Sequence, residues 1–437
     1  MSDLRTERPA ASAARSGDPF RRLRRHLREP YLQLLAAQVL TGGVALAANL
    51  LMVRAMSPSG RGEVALMLQV VYLATQVLLL GTERSFVATY HDVPPATGVK
   101  AYARLLAVPA ALCLTVAVAV PIVAPDRFHP GAAIVLLLAC YAMVEATSLA
   151  TRSIAVAAGR VHEFLIARII ESVLLLVLLV VLFAGAVADP AVWVLAYVFS
   201  GLVPTAAYVV RWLRLPAPGP GPDSPTLNRH VRREGLTLFP AALSNMAMLR
   251  VDRLALPALA STSALGLYAA VATMTELLAW PLRAFADSRL GKWRAADRGG
   301  ALNARPVILA AAAYALVVAP VAAGALYLLI VPVFGADYAP AKAVVVPLVA
   351  AAGLYAVSRI SLGLLIAQGH GALVSTAEIA GFAVSFVAYL VLIPRYGILG
   401  AAYGSLLGYG ACLLFAIVAG RFAASRTPVQ AEGARSP

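Results

Sequence analysis

Long apolar runs separated by short polar connections fill the chain from residue 32 to residue 420. A bilayer core of about 30 Å needs about 20 apolar residues per helix, and twelve runs come near or exceed this length. They cover residues 32–53, 62–80, 102–124, 132–151, 165–188, 191–212, 236–259, 264–286, 306–331, 343–367, 372–393 and 398–420. The pattern predicts an all-α polytopic membrane protein with twelve transmembrane helices.

Lys and Arg are unevenly distributed over the connections between these runs. The N-terminus and every second connection hold 28 of the 36 basic residues, the opposite side holds 5, and 3 lie inside the runs. Because cytoplasmic loops carry the excess of Lys and Arg, this division predicts a multi-pass protein of the cytoplasmic membrane with both termini in the cytoplasm. The net charge of +15 then follows from topology, and no basic face on a soluble fold indicates nucleic-acid binding.

Residues 1–30 form a basic N-terminal segment, with five arginines directly before the first apolar run. This arrangement is typical of a cytoplasmic anchor. A cleaved signal peptide is the alternative, because Ala45, Leu46 and Ala47 resemble a cleavage site. The long basic segment, and an apolar run that continues past this site to residue 53, favour the anchor.

The longest break, residues 214–235, is rich in proline and predicts a cytoplasmic linker between two lobes of six helices, residues 31–213 and 236–421. Residues 422–437 form a predicted cytoplasmic tail. Since six is an even number, the lobes run in the same sense, related by a parallel pseudo-two-fold repeat. Residues 49–62 (NLLMVRAMSPSGRG) and 253–266 (RLALPALASTSALG) share a weak similarity that supports such a repeat.

The seventh run contains three charged residues, Arg250, Asp252 and Arg253. A charge near the bilayer centre is costly, so these side chains are expected to face a cavity and to bind substrate. Arg250 and Arg253 share one helix face, whereas Asp252 points nearly opposite and aligns with Asn245. The alternative is that the helix ends early and the charges reach the outer interface, but residues 236–249 alone are too short to span.

Other charged residues lie inside predicted spans. Glu276, near the middle of the eighth helix, has no local partner and is a candidate for ion coupling. Arg359 is a third candidate substrate-binding arginine, with snorkelling toward the cytoplasm as the alternative. Glu145 and Glu378 lie nearer the cytoplasmic ends, where a hydrated interface is expected. The three cysteines fall inside apolar runs and the six histidines occur singly, so neither a disulfide framework nor a metal site is predicted.

Five segments resemble the oligosaccharide flippases, the Wzx-like polysaccharide biosynthesis proteins of the multidrug/oligosaccharidyl-lipid/polysaccharide (MOP) exporter superfamily. They are RAMSPSGRG from Arg54, VDRLALPALASTSALGLYAAV from Val251, VFGADYAPA from Val333, AQGHG from Ala367 and LIPRYGILGAAYGSLLGY from Leu392. The chain departs from the family at Arg61, where an aromatic residue is more usual before the glycine. Arg54 and Arg61 are therefore candidates for an unusual outer gate.

This resemblance implies a transporter, with no catalytic residue and no cofactor, that flips an undecaprenyl-pyrophosphate-linked oligosaccharide by alternating access through a central cavity carrying arginine. Its implied partners are that lipid-linked oligosaccharide, membrane lipids, and the polysaccharide polymerase and glycosyltransferases of the same pathway. Two alternatives remain: a cation-coupled exporter of small molecules with the same fold, and a membrane-embedded glycan polymerase or ligase. The short outer connections disfavour the enzyme, and the arginines disfavour cationic cargo.

The predicted topology can be tested by cysteine labelling. Single cysteines introduced at Ser59, Asp126 and Tyr396 should react with a membrane-impermeant reagent in intact cells, because the charge division places them outside. A cysteine at Ser224 should react only after the cells are opened. Reaction of this cysteine in intact cells would contradict the assignment of both termini to the cytoplasm.

Overall fold

The computed structural model describes residues 30–90, 93–123, 131–215 and 225–426, and its regular structure is entirely helical. Within these residues we number the α-helices α1 to α14 in chain order. They are α1 Pro30–Ala55, α2 Pro58–Leu79, α3 Thr82–Thr89, α4 Pro95–Val123, α5 Gly131–Ala157, α6 Val161–Ala184, α7 Pro190–Arg214, α8 Pro225–Leu259, α9 Thr262–Glu276, α10 Trp280–Arg298, α11 Ala304–Leu329, α12 Val345–Ala367, α13 Gly371–Tyr396 and α14 Ile398–Arg426.

Ten helical stretches among the described residues are long and apolar enough to cross a membrane. One of them, Thr262–Arg298, joins α9 and α10 through a single 3₁₀ turn. The two predicted spans outside this set are α1, where the qualifying apolar part is the shorter Leu40–Ala55, and α8, which is long but carries many charges. All twelve predicted runs lie on helices, and the all-α polytopic class is confirmed.

Some boundaries differ from the prediction. Helix α8 begins at Pro225, so the second half of the predicted linker, residues 214–235, is helical, and proline suits the first position of a helix. The short helix α3 lies in a connection for which no helix was predicted. Helix α14 continues five residues past the predicted end of the second lobe at residue 421. Most of the basic N-terminal segment and of the C-terminal tail lies outside the described residues.

The buried apolar side chains divide along the chain. One cluster runs from Ala48 to Val231 and fills the first lobe. Three further clusters fill the second lobe, and one of them also includes Val53 and Ala65 from α1 and α2. Each lobe therefore has its own core, and α1, α2 and α8 provide contacts between the two.

The start of α8 packs against the first lobe although most of this helix belongs to the second. Ser85 donates a hydrogen bond to the carbonyl of Val231 over 2.9 Å, and the Tyr90 hydroxyl donates to Oδ1 of Asn228 over 2.8 Å. Helix α1 makes the corresponding exchange, because Gly42 lies against the ring of Trp280 at the start of α10. The first helix of each lobe, α1 or α8, therefore also contacts the other lobe.

Helices α2 and α9 cross at a reciprocal glycine contact. A Cβ atom on Gly62 would lie 2.0 Å from the carbonyl oxygen of Thr262, and a Cβ atom on Gly266 would lie 1.8 Å from that of Pro58. Equivalent residues that contact each other in this mutual way are the mark of a two-fold axis. The pairs also match the similarity between residues 49–62 and 253–266, so the structure agrees with the predicted parallel repeat.

This crossing leads to a stability prediction. Gly266→Ala should destabilise the protein by about 1–3 kcal/mol, because the new methyl group must push two backbones apart. Gly324→Ala is the matched control, since a Cβ there meets nothing within 4 Å and alanine favours the helix. Thermal unfolding of the purified protein in detergent measures both. An unchanged midpoint for Gly266→Ala would contradict the tight crossing.

Candidate functional site between the lobes

The two arginines predicted on one face of α8 share a single carboxylate. Nη1 of Arg250 lies 3.2 Å from Oε1 of Glu276, and Nη2 of Arg253 donates a hydrogen bond to the same oxygen. The exposed fractions of the side chains are 20% for Arg250, 6% for Arg253 and 33% for Glu276. Two guanidinium groups on one carboxylate leave a net positive charge, and Glu276 is the member most open to solvent.

The position of Arg250 along α8 predicts that this ion triad lies deep in the membrane. Arg250 lies nine residues before the end of α8, which corresponds to about 14 Å of helix and to roughly half of a 30 Å hydrocarbon core. Glu276 ends α9, directly before the 3₁₀ turn Leu277–Ala279. The guanidinium of Arg250 also lies over the ring of Tyr72 in α2, 5.3 Å from its centroid. The triad therefore borders on both lobes.

The two arginines also present unused donors. Among the described residues, Nε of Arg250 and Nε of Arg253 are buried and have no hydrogen-bond partner. A buried charged donor without a partner is costly, and such groups are commonly filled by a ligand, an ion or water. These unused donors make the triad a candidate site for an anion.

Asp252 does not join this triad, although it was predicted as a binding residue with Arg250 and Arg253. Its carboxylate accepts hydrogen bonds from the Tyr268 hydroxyl over 2.6 Å and from the backbone N–H of Arg253 over 2.8 Å. The Tyr268 hydroxyl lies 3.2 Å from Oγ of Ser405, inside the second lobe. Asp252 thus belongs to a buried polar network. The side chain of Asn245 lies outside the described residues.

Arg359, the third predicted binding arginine, is paired inside the second lobe. Its Nη2 donates to Oε1 of Glu378 over 2.8 Å, and its guanidinium lies 5.2 Å from the centroid of the Tyr355 ring. The expectation of a hydrated interface for Glu378 is wrong, because this residue is 8% exposed. The charge of Arg359 on the neighbouring helix α12 compensates the buried carboxylate of Glu378. No local sequence pattern predicts this pair.

The two predicted outer-gate residues both connect the lobes. Arg61, 4% exposed, donates to Oδ1 of Asn49 over 2.9 Å, and Nδ2 of Asn49 donates across to the carbonyl of Ala270 over 3.0 Å. Arg54 is exposed and donates to the carbonyls of Pro332 and Val333, over 2.8 Å and 2.5 Å. The hydrogen bonds of Asn49 and Arg54 connect the end of α1 to the second lobe. A role in gating stays a prediction.

A cavity of about 1400 Å³ lies away from the ion triad. It is inside the second lobe, between α11, α12 and α14, and none of the predicted site residues lines it. A central cavity carrying arginine stays a prediction.

No protein-family model matches this sequence, and no curated protein sequence matches it significantly. Solved structures do match: an inward-facing multidrug resistance MATE family transporter of the MOP superfamily has a TM-score of 0.66 at 16% identity, over 89% of this chain and 94% of that one. The lipid II flippase MurJ, in an inward closed conformation, has a TM-score of 0.65 at 9% identity, over 89% and 87%. An outward-facing MATE transporter has a TM-score of 0.60 at 16% identity, over 91% and 97%. The chain has the fold of these transporters.

The ion triad leads to a stability prediction. Glu276→Gln should destabilise the protein, by less than the about 3–5 kcal/mol of a fully buried pair, because it removes the one-third-exposed carboxylate that Arg250 and Arg253 share. Adding Arg253→Met should recover part of this loss, since the unpaired charge disappears. Glu234→Gln, which affects an exposed pair with His230 on α8, should change stability by less than about 1 kcal/mol. Thermal unfolding in detergent compares them, and additive losses in the double variant would contradict the pairing.

Proposed function

We propose that this chain flips a lipid-linked oligosaccharide, with an undecaprenyl-pyrophosphate type of anchor, across the cytoplasmic membrane for the synthesis of a cell-surface polysaccharide. Transport proceeds by alternating access, in which the lobes open in turn toward the two sides of the membrane. The substrate path runs between the lobes, past Arg250, Arg253 and Glu276. The proposal combines the fold, the chemistry of the triad and the sequence resemblance to oligosaccharide flippases.

The observation that carries this proposal is the excess of guanidinium over carboxylate deep between the lobes. Arg250 and Arg253 share Glu276 and keep two buried Nε donors unused. A pyrophosphate group carries several negatively charged oxygens, and guanidinium groups bind such oxygens through paired, charge-assisted hydrogen bonds. Glu276 holds both arginines in place, and the pyrophosphate can take over part of that role.

The contacts between the lobes fit an alternating mechanism. The reciprocal crossing at Gly62 and Gly266, the bonds of Arg54 and the bond from Asn49 to Ala270 all join the lobes at the side that is predicted to be extracytoplasmic. These contacts must break before the path can open outward. An inward-facing MATE transporter and a flippase in an inward closed conformation are among the structural neighbours, which supports this interpretation.

A cation-coupled exporter of small molecules is the second candidate. Glu276 favours it, because this carboxylate is one-third exposed and could meet a cationic cargo or a coupling ion. Several structural neighbours are multidrug MATE transporters. In that case Glu276 would contact the cargo and the arginines would only hold the carboxylate in position, which is the reverse of the roles in the flippase proposal.

The test replaces the arginines in reconstituted vesicles. With an undecaprenyl-pyrophosphate-linked oligosaccharide labelled on its glycan, the Arg250→Ala, Arg253→Ala double variant should lose flipping when vesicles that contain equal amounts of folded protein are compared. The corresponding double Lys variant should recover flipping only in part, because it keeps the charge but loses the planar fork. Arg359→Ala is the matched control for loss of a buried arginine. Full flipping by the double Ala variant would end the assignment.

Cells that lack the gene distinguish the two candidate functions. The flippase proposal expects lipid-linked glycans to accumulate in the inner leaflet, and a wild-type copy to clear them. The exporter expects normal glycans and greater sensitivity to cationic compounds, restored by the wild-type copy but not by Glu276→Gln. This second pattern would overturn the flippase proposal.

A further inference from the structure

The cavity in the second lobe has the features of a separate lipid site. Its volume of about 1400 Å³ exceeds the ~300–1,000 Å³ typical of pockets for drug-sized molecules. The lining is almost wholly aliphatic and comes from α11, α12 and α14. Leu309 and Leu316 of α11 line it and are also exposed, by 57% and 77%, so the cavity opens toward the hydrocarbon of the bilayer. Such a space suits flexible acyl chains.

Polar residues of the cavity gather at one end. Arg305 lies at the start of α11, Gln368 directly follows α12, and Arg421 lies near the end of α14. One helix begins and two helices end there, so all three residues lie at the same membrane face. The charge division predicts that this face is cytoplasmic. Both arginines are exposed, and no ion pair of either is found among the described residues.

Helix α12 separates this cavity from the transport site. Gly353, Val357 and Ser361 follow each other at intervals of four residues and line the cavity from one face of α12. Arg359, two residues before Ser361, points away and pairs with Glu378 of α13. A lipid in the cavity would therefore lie beside the cargo path and not within it.

We propose that this cavity binds a phospholipid with an anionic headgroup from the inner leaflet, its acyl chains between α11, α12 and α14 and its phosphate on Arg305 and Arg421. Basic pockets between transmembrane helices on the cytoplasmic side suit anionic headgroups in this way. The lipid fills the cavity that residues of α11, α12 and α14 line. The site is independent of the cargo.

Native mass spectrometry of the full chain in detergent can measure this binding, with dioleoyl phosphatidylglycerol and dioleoyl phosphatidylcholine as probes of equal chain length. Phosphatidylglycerol should bind more tightly. The Arg305→Gln, Arg421→Gln variant should weaken it about thirtyfold, equivalent to about 2 kcal/mol for two arginines. Ala312→Trp, at an exposed position of the cavity wall, should exclude both lipids by filling the space.

The matched control removes two arginines that do not line the cavity. The Arg294→Gln, Arg298→Gln variant of α10 should bind phosphatidylglycerol as the wild type does. Equal binding of the two lipids, or no loss in the Arg305→Gln, Arg421→Gln variant, would overturn the proposal in favour of ordinary lipid contact. If undecaprenyl phosphate displaces phosphatidylglycerol and depends on the same arginines, the cavity belongs to the cargo lipid and the proposal is equally overturned.

Discussion

A bilayer offers little water to a charged side chain, so Arg250 and Arg253 depend on Glu276 for compensation in the middle of the membrane. This shared carboxylate ties α8 to α9, the two helices that begin the second lobe. The contact of Arg250 with Tyr72 extends the connection to α2 of the first lobe. Because the triad joins helices of both lobes, any relative movement of the lobes must change the environment of its charges.

The glycine crossing is a second connection between the lobes, made by backbone packing instead of charge. The backbones of α2 and α9 touch at Gly62 and Gly266. A side chain at either position would prevent this contact. Arg61 and Asn49 then add a hydrogen-bonded path from the first lobe to the carbonyl of Ala270. The backbone contact and the hydrogen bond from Asn49 to Ala270 together hold the lobes at one side.

The sequence predicts the class and the spans because both depend on local pattern. Twelve apolar runs and the alternation of basic connections need no knowledge of tertiary contacts. The repeat was visible as well, since Gly62 and Gly266 occupy equivalent places in two similar segments. The short helix α3 was missed because eight residues in a polar connection give too weak a pattern.

Contacts between side chains of different helices cannot be predicted from local sequence patterns. The shared helix face of Arg250 and Arg253 was predictable from their spacing, but their common partner Glu276 is 26 and 23 residues away. The position of Glu378 near the cytoplasmic end of its span predicts a hydrated interface, but Arg359 of the neighbouring helix pairs with this carboxylate.

The same limit applies to the cavity of the second lobe. Arg305 and Arg421 are 116 residues apart and each reads as an ordinary interfacial arginine. Only the tertiary arrangement of α11, α12 and α14 brings both arginines into the lining of one cavity. The proposed alternating access requires each lobe to keep its internal packing while the lobes move. The phospholipid proposed for this cavity would supply part of that packing from the membrane itself.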